Sequence, residues 1–255
     1  YGVAMAQQTI RRGIRQSVAN TYLAAARGRP NLTLRPGAEA TSLIMEGRRC
    51  VGLRFRCDGT MHEARARREV IVSAGAIGSP KLLELSGIGN PDVLRAHGIP
   101  VVHALPGVGE NLRDHFGATL KWTFNRRGIS LAGRGRGIRL LVEAARYALF
   151  RTGFISQGMA TMRVFTRSSD LVEQADIALL ANPFFVEIVD GKRRMSNEHG
   201  FFIYAQVQRP ESRGSIHIAS PDPFADPAIS YRFLTTENDR RVAVAAVRQI
   251  GRAHV

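Results

Sequence analysis

Glu69-Val70-Ile71-Val72-Ser73-Ala74-Gly75-Ala76-Ile77-Gly78-Ser79-Pro80, continuing through Lys81-Leu82-Leu83-Glu84-Leu85-Ser86-Gly87-Ile88-Gly89, is the stretch that decides the fold. The β-branched run Val70-Ile71-Val72 predicts a short buried strand ending at Ser73. A tight glycine turn should follow, after which Ser79-Pro80 offers an N-cap and a first helical residue. The helix expected over Pro80–Ser86 stops at Gly87, the residue type that most readily closes a helix at C′. Such a strand–turn–helix unit lets backbone approach a ligand at the carboxyl end of a strand, where open α/β sheets bind cofactors. Gly75 and Gly78 do not form the dinucleotide fingerprint G-x-G-x-x-G, so on spacing alone a packed turn and a ligand-binding turn both stand.

On the N-terminal side, residues 7–27 carry a helical pattern with Ala19, Tyr22, Leu23 and Ala26 on one face and Gly28 closing it. Asn31–Leu34, Glu39–Met45 and Arg49–Cys57 read as three short strands, the third alternating through Val51, Leu53, Phe55 and Cys57. Asp58-Gly59 is the strongest hairpin turn, leading into Met61–Arg67. On the C-terminal side, Asn90-Pro91 begins a capped helix that Gly98 ends.

After His115 the pattern changes. Gly128–Gly137 is rich in glycine and arginine and reads as a mobile loop, followed by an amphipathic helix around Leu140–Phe150. Phe201–Gln208 and Ser215–Ala219 alternate as antiparallel strands do, with Ser212-Arg213-Gly214 turning between them. Helical pattern returns near residue 235, with Thr236 as N-cap and Val242, Ala245, Ala246 and Gln249 following. The fold class expected is therefore α/β plus α+β, with a domain boundary near residue 118.

Composition narrows the function classes. The 255 residues carry a formal charge of +15, but only Lys81, Lys121 and Lys192 are lysines, and the arginines are scattered through every segment. Aromatic residues are not interleaved with them as a base-stacking platform requires, so nucleic acid is not the expected partner. No run approaches the roughly 20 apolar residues that span a bilayer. The N-terminus reads as neither an initiator methionine nor a signal peptide, and a cytoplasmic location is expected. Cys50 and Cys57 have neither zinc nor redox spacing and are expected to be reduced thiols. No His, Cys and carboxylate set has metal-ligand spacing, and no G-x-S-x-G points to a serine hydrolase.

Residues Ser73–Gly89 resemble the second signature of the glucose–methanol–choline (GMC) oxidoreductases, flavoproteins that oxidise alcohols. The resemblance runs on through Pro91–Gly98, Ile99-Pro100-Val101-Val102 and Leu105-Pro106-Gly107-Val108-Gly109-Glu110-Asn111-Leu112-Arg113-Asp114-His115. Arg209–Ile216 is similar to the family's substrate-domain hairpin. The resemblance implies an incomplete, Rossmann-like FAD-binding domain over 1–118 and an antiparallel-sheet substrate-binding domain over 119–234. It further implies a helix at 235–249 that returns to the FAD domain, while residues 250–255, including His254, read as a non-native tail. Ser73, Ala74 and Gly75 match the strand end that packs on the adenosine part of FAD. Ala40 falls where the family usually has a valine whose backbone meets the adenine ring.

The family's G-x-G-x-x-G unit is absent, and its catalytic pair, a histidine with a second histidine or asparagine, matches nothing here. The chain is thus expected to be an internal fragment, inactive alone and holding FAD weakly or not at all. The full enzyme, of the choline and alcohol dehydrogenase branch, would pass hydride from a small-molecule alcohol to FAD and then to an electron acceptor. No catalytic or metal residue is expected within this chain. His115, beside Asp114, is read as structural, and His62, His97, His103, His199 and His217 as solvated or satisfied side chains. Two other readings stay open: a stand-alone interaction module derived from the family, and a basic nucleic-acid binder.

Overall fold

The computed structural model describes residues 2–126, 130–158, 162–196 and 198–252. The chain forms two compact units, each assembled from separated stretches. One holds residues 1–32, 115–210 and 236–255, the other residues 33–114 and 211–235.

The first unit is built on an antiparallel five-stranded sheet. Its order is Gly2–Met5, Met162–Thr166, Ile177–Asn182, Gly200–Val207 and Gly117–Thr123. The alternation expected at Phe201–Gln208 becomes its second-to-last strand. Trp122 and Phe201 stack across neighbouring strands with ring centroids 5.0 Å apart. The core lies between the sheet and the helix Glu237–Arg252: Ile177, Ala205 and Val207 from strands meet Val242, Ala246 and Ile250 from the helix. Those three helical residues recur every four positions, which keeps them on one face. Thr236 caps the helix, its Oγ1 accepting from the Asp239 amide at 3.2 Å.

The helix expected over residues 7–27 is mostly absent. Arg12 and Gly13 both take positive φ, 51° and 70°, and reverse the chain between the strands Ile10–Arg11 and Ile14–Arg15. Only the 3₁₀ turn Val18–Asn20 and the short helix Tyr22–Ala26 remain helical. Of the expected mobile loop, 128 and 129 lie outside the described residues, while Leu131–Gly135 forms a 3₁₀ turn capped by Ser130.

The second unit contains a meander of Glu39–Glu46, Arg49–Cys57 and Thr60–Arg65, with Asp58-Gly59 (φ 52° and 78°) as the hairpin turn its sequence predicts. Asn31–Leu34 is not a strand. The helix Gly75–Leu85 packs on the first strand of the meander. It is followed by a short parallel pair, Ile88–Gly89 with His103–Ala104. Between them, the helix Pro91–Ala96 is capped by the Asn90 side chain, which accepts from the Asp92 amide at 3.0 Å. A second antiparallel sheet runs Ala228–Ser230, Gly214–His217, Glu110–Leu112.

This division differs from the expected one. Gly2–Met5 is an edge strand of the five-stranded sheet, so the N-terminal residues group with residues 115–210. Gly214–His217 pairs with Glu110–Leu112, which draws residues 211–235 into the other unit. The helix Glu237–Arg252 packs on the five-stranded sheet. It already includes Ile250, Gly251 and Arg252 of the expected tail, while Ala253, His254 and Val255 lie outside the described residues.

Candidate functional site

The four residues expected to meet the adenosine part of FAD all fall in the second unit, and all four are exposed. Ala40 lies near the start of the strand Glu39–Glu46, opposite Phe55. Ser73 and Ala74 lead directly into the helix that Gly75 begins.

Two expectations for this segment are corrected. Val70–Ser73 is not a strand: Val70 and Val72 pack against the cluster of Leu43, Leu82 and Ile88, while Ile71 is 77 % exposed. The run buries alternate side chains without a hydrogen-bonded neighbour strand among the described residues. The helix starts at Gly75 rather than Pro80, so Gly78 and Ser79 are helical and Pro80 lies within the helix. As the sixth helical residue, Pro80 lies beyond the first turn and has no N–H to give to the Ala76 carbonyl four residues back. The positive φ of Gly75, 79°, supplies the turn, and Gly87 at 77° ends the helix as expected.

What holds this segment is polar as well as apolar. Ser86 donates its hydroxyl to the Leu82 carbonyl at 2.6 Å and accepts from the buried Leu43 amide at 2.8 Å. The signature helix and the strand bearing Ala40 are thereby tied together. Glu84, 0 % exposed, receives the Ile218 amide on Oε2 at 2.8 Å and contacts His217 Nδ1 through Oε1 at 2.7 Å. His217 Nε2 in turn lies 3.0 Å from Glu110 Oε1. Burial alone would lower the His217 pKa, but the hydrogen bonds and charges of Glu84 and then Glu110 outweigh it and hold the imidazolium above 6.5. A buried carboxylate is stable only when paired in this way.

Sequence reasoning missed this cluster. Its one legible signal is a glutamate inside the apolar run Leu82-Leu83-Glu84-Leu85; nothing in the sequence names His217 as its partner. The other histidines are spread out. His115 Nε2 lies 3.2 Å from the Gln208 carbonyl, and His62 stacks on Phe55 with centroids 5.3 Å apart. Cys50 and Cys57 are free thiols. Among the described residues no group of three or more His, Cys, Asp or Glu could hold a metal ion, and no helix is long and apolar enough to cross a membrane.

The segment admits a flat group against its backbone. A Cβ added at Gly75 would meet nothing within 4 Å, and the neighbouring side chains at Ser73, Ala74 and Ala76 are small. An extended segment that turns at an exposed glycine into a helix leaves its backbone open to an approaching ligand.

Comparison with known proteins agrees. The N-terminal profile of GMC oxidoreductase matches residues 1–117 and the C-terminal profile residues 210–254. The chain belongs to the GMC oxidoreductase family. It is 37 % identical over 242 residues to the oxygen-dependent choline dehydrogenase of Chromohalobacter salexigens, covering 94 % of this chain and 43 % of that one. With the oxygen-dependent choline dehydrogenase of Brucella anthropi it shares 37 % over 238 residues, 93 % of this chain and 43 % of that one. Among solved structures, a formate oxidase superimposes with TM-score 0.87 at 24 % identity, over 98 % of this chain and 47 % of that one. The pyridoxine 4-oxidase of Mesorbium loti gives TM-score 0.78 at 25 % identity, over 97 % and 44 %. The chain thus spans less than half the length of the relatives it matches.

Proposed function

We propose that this chain is part of an FAD-dependent oxidoreductase that oxidises the CH–OH group of a small alcohol to a carbonyl. The observation that carries the reading is the signature segment itself: small, exposed residues at Ser73–Gly75, held by Ser86 and Glu84, in a chain of the GMC family. Ala40, Ser73, Ala74 and Gly75 would contact the adenosine part of FAD, the backbone approach being possible because no large side chain stands in the way. When bound, the flavin supplies the hydride acceptor. Ser86 and Glu84 would act by positioning the segment. The likeness to choline dehydrogenases at 37 % identity favours a choline-type alcohol, with an electron acceptor that reoxidises the flavin.

Two experiments test this. Titrating the purified chain with FAD should show weak binding or none; tight stoichiometric binding would overturn the expectation for the isolated chain. Expressing the source gene extended in both directions should give a yellow protein that oxidises choline or a related alcohol. A colourless product without alcohol oxidation sinks the enzyme reading.

A further inference from the structure

The helix Gly137–Phe150 lines a cavity of about 820 Å³ in the five-stranded unit, within the size range of small-molecule sites. Arg139, Glu143 and Arg146 follow one another at i, i+4 and i+7, so they share one stripe of the helix. Ile138 and Val142 flank that stripe, and Leu131 and Arg134 come from the facing 3₁₀ turn. That turn is anchored. The Ser130 hydroxyl donates to the Pro183 carbonyl at 3.0 Å and accepts from the Ala132 amide at 3.1 Å, and Arg136 donates to the Met195 carbonyl at 2.6 Å.

The charges of the cavity are unevenly committed. Glu143 is buried; its Oε2 accepts from the Phe154 amide at 2.9 Å and its Oε1 lies 3.8 Å from Arg134 Nη1. Arg146 donates its Nε–H to the Thr152 hydroxyl at 3.3 Å, and its terminal guanidinium nitrogens make no hydrogen bond or ion pair among the described residues. Arg139 makes no hydrogen bond or ion pair among the described residues. The lining therefore holds three guanidinium groups against one carboxylate that is already engaged. A second observation points the same way. The one buried side-chain polar atom without a partner among the described residues is His199 Nδ1, and His199 lines this cavity. Buried orphans of this kind are rare because each costs the desolvation of its group.

We propose that this cavity binds a small organic carboxylate with an apolar body. The carboxylate pairs with Arg139 and Arg146, whose planar forks match its two oxygens. The apolar body lies against Ile138, Val142 and Leu131. A turn of the His199 ring toward the bound anion provides its unpaired nitrogen with an acceptor. The inference rests on these residues alone and is independent of the flavin reading.

Calorimetric titration of the chain with decanoate, at physiological chloride to suppress non-specific attraction to its positive charge, tests this. The expected result is saturable binding by decanoate that is weakened roughly tenfold or more in Arg139→Gln/Arg146→Gln. Decanol and inorganic phosphate should each bind more weakly than decanoate. Arg139→Gln alone removes no existing contact, so it repeats the test in a chain whose folding is unchanged. Decanol binding as well as decanoate would overturn the proposal by showing an apolar groove only. Phosphate binding as well as decanoate would overturn it by showing charge attraction only. Decanoate affinity unchanged in both variants would remove the arginines from the site.

Discussion

His217 Nδ1 lies 2.7 Å from Oε1 of Glu84, a carboxylate with no exposed surface, although the two residues are 133 positions apart. The pair ties the signature helix to the strand Gly214–His217, and Glu110 at 3.0 Å from Nε2 closes the other side of the ring. The folded state raises the His217 pKa above 6.5. A group whose pKa is raised on folding stabilises the fold fully below its unfolded pKa and loses that contribution as pH rises through the folded value. His217 should therefore stabilise the chain below pH 6.5 and contribute progressively less above it. The expected outcome is a fall in urea midpoint from mildly acidic to alkaline pH that His217→Gln flattens. Carbon-13 NMR of the ring should show a midpoint above 6.5. A midpoint at or below 6.5 would mean that burial wins over the two carboxylates.

Ser86 should matter through what it leaves behind. In Ser86→Ala the Leu43 amide loses its acceptor in a buried setting, which costs about 1–3 kcal/mol. Hydrogen exchange of the Leu43 amide gives a local readout, and accelerated exchange there is expected. Unchanged protection would show that another acceptor takes over.

Gly75 and Gly87 begin and end the same helical segment with nearly the same positive φ, yet they should respond differently. Gly75→Ala meets open space, so only the left-handed strain remains, about 1–2 kcal/mol. Gly87→Ala adds a collision with the Pro100 carbonyl oxygen and a contact of 2.8 Å with Val102 Cγ2. Its loss should be clearly the larger of the two. Equal urea midpoints for the two variants would contradict the packing of Gly87 against residues 100–102.

These contrasts mark what was legible in the sequence. The hairpin at Asp58-Gly59, the Asn90 cap, the Gly87 stop and the Thr236 cap were all readable, because each depends on chemistry within a few residues. The alternation at Phe201–Gln208 was readable for the same reason. What failed depended on distant partners. Val70-Ile71-Val72 has the composition of a buried strand, but strand formation needs a neighbour, and none pairs with it among the described residues. Residues 7–27 have helical spacing, but Gly13 lies against the backbone of Arg151, and the positive φ values at Arg12 and Gly13 turn the chain there. The candidate cofactor residues could be named only through likeness to a family. Their support by Glu84 and His217 could not be named at all, since no local pattern links positions 84 and 217.

The most C-terminal prediction concerns Ile250, which sequence reading set aside as the start of a non-native tail. It is 2 % exposed and packs with Ile177, Ala205, Val207, Val242 and Ala246 between the sheet and its helix. Removing its side chain to the β-carbon leaves a cavity in that cluster, at a cost of about 2–5 kcal/mol. Trp122, the single tryptophan, packs against the same cluster, so its fluorescence follows the unfolding of this unit. Ile250→Ala should lower the urea midpoint of the Trp122 transition. A transition unaltered in Ile250→Ala would mean that the helix ends before residue 250 in solution, and that the cluster closes without it.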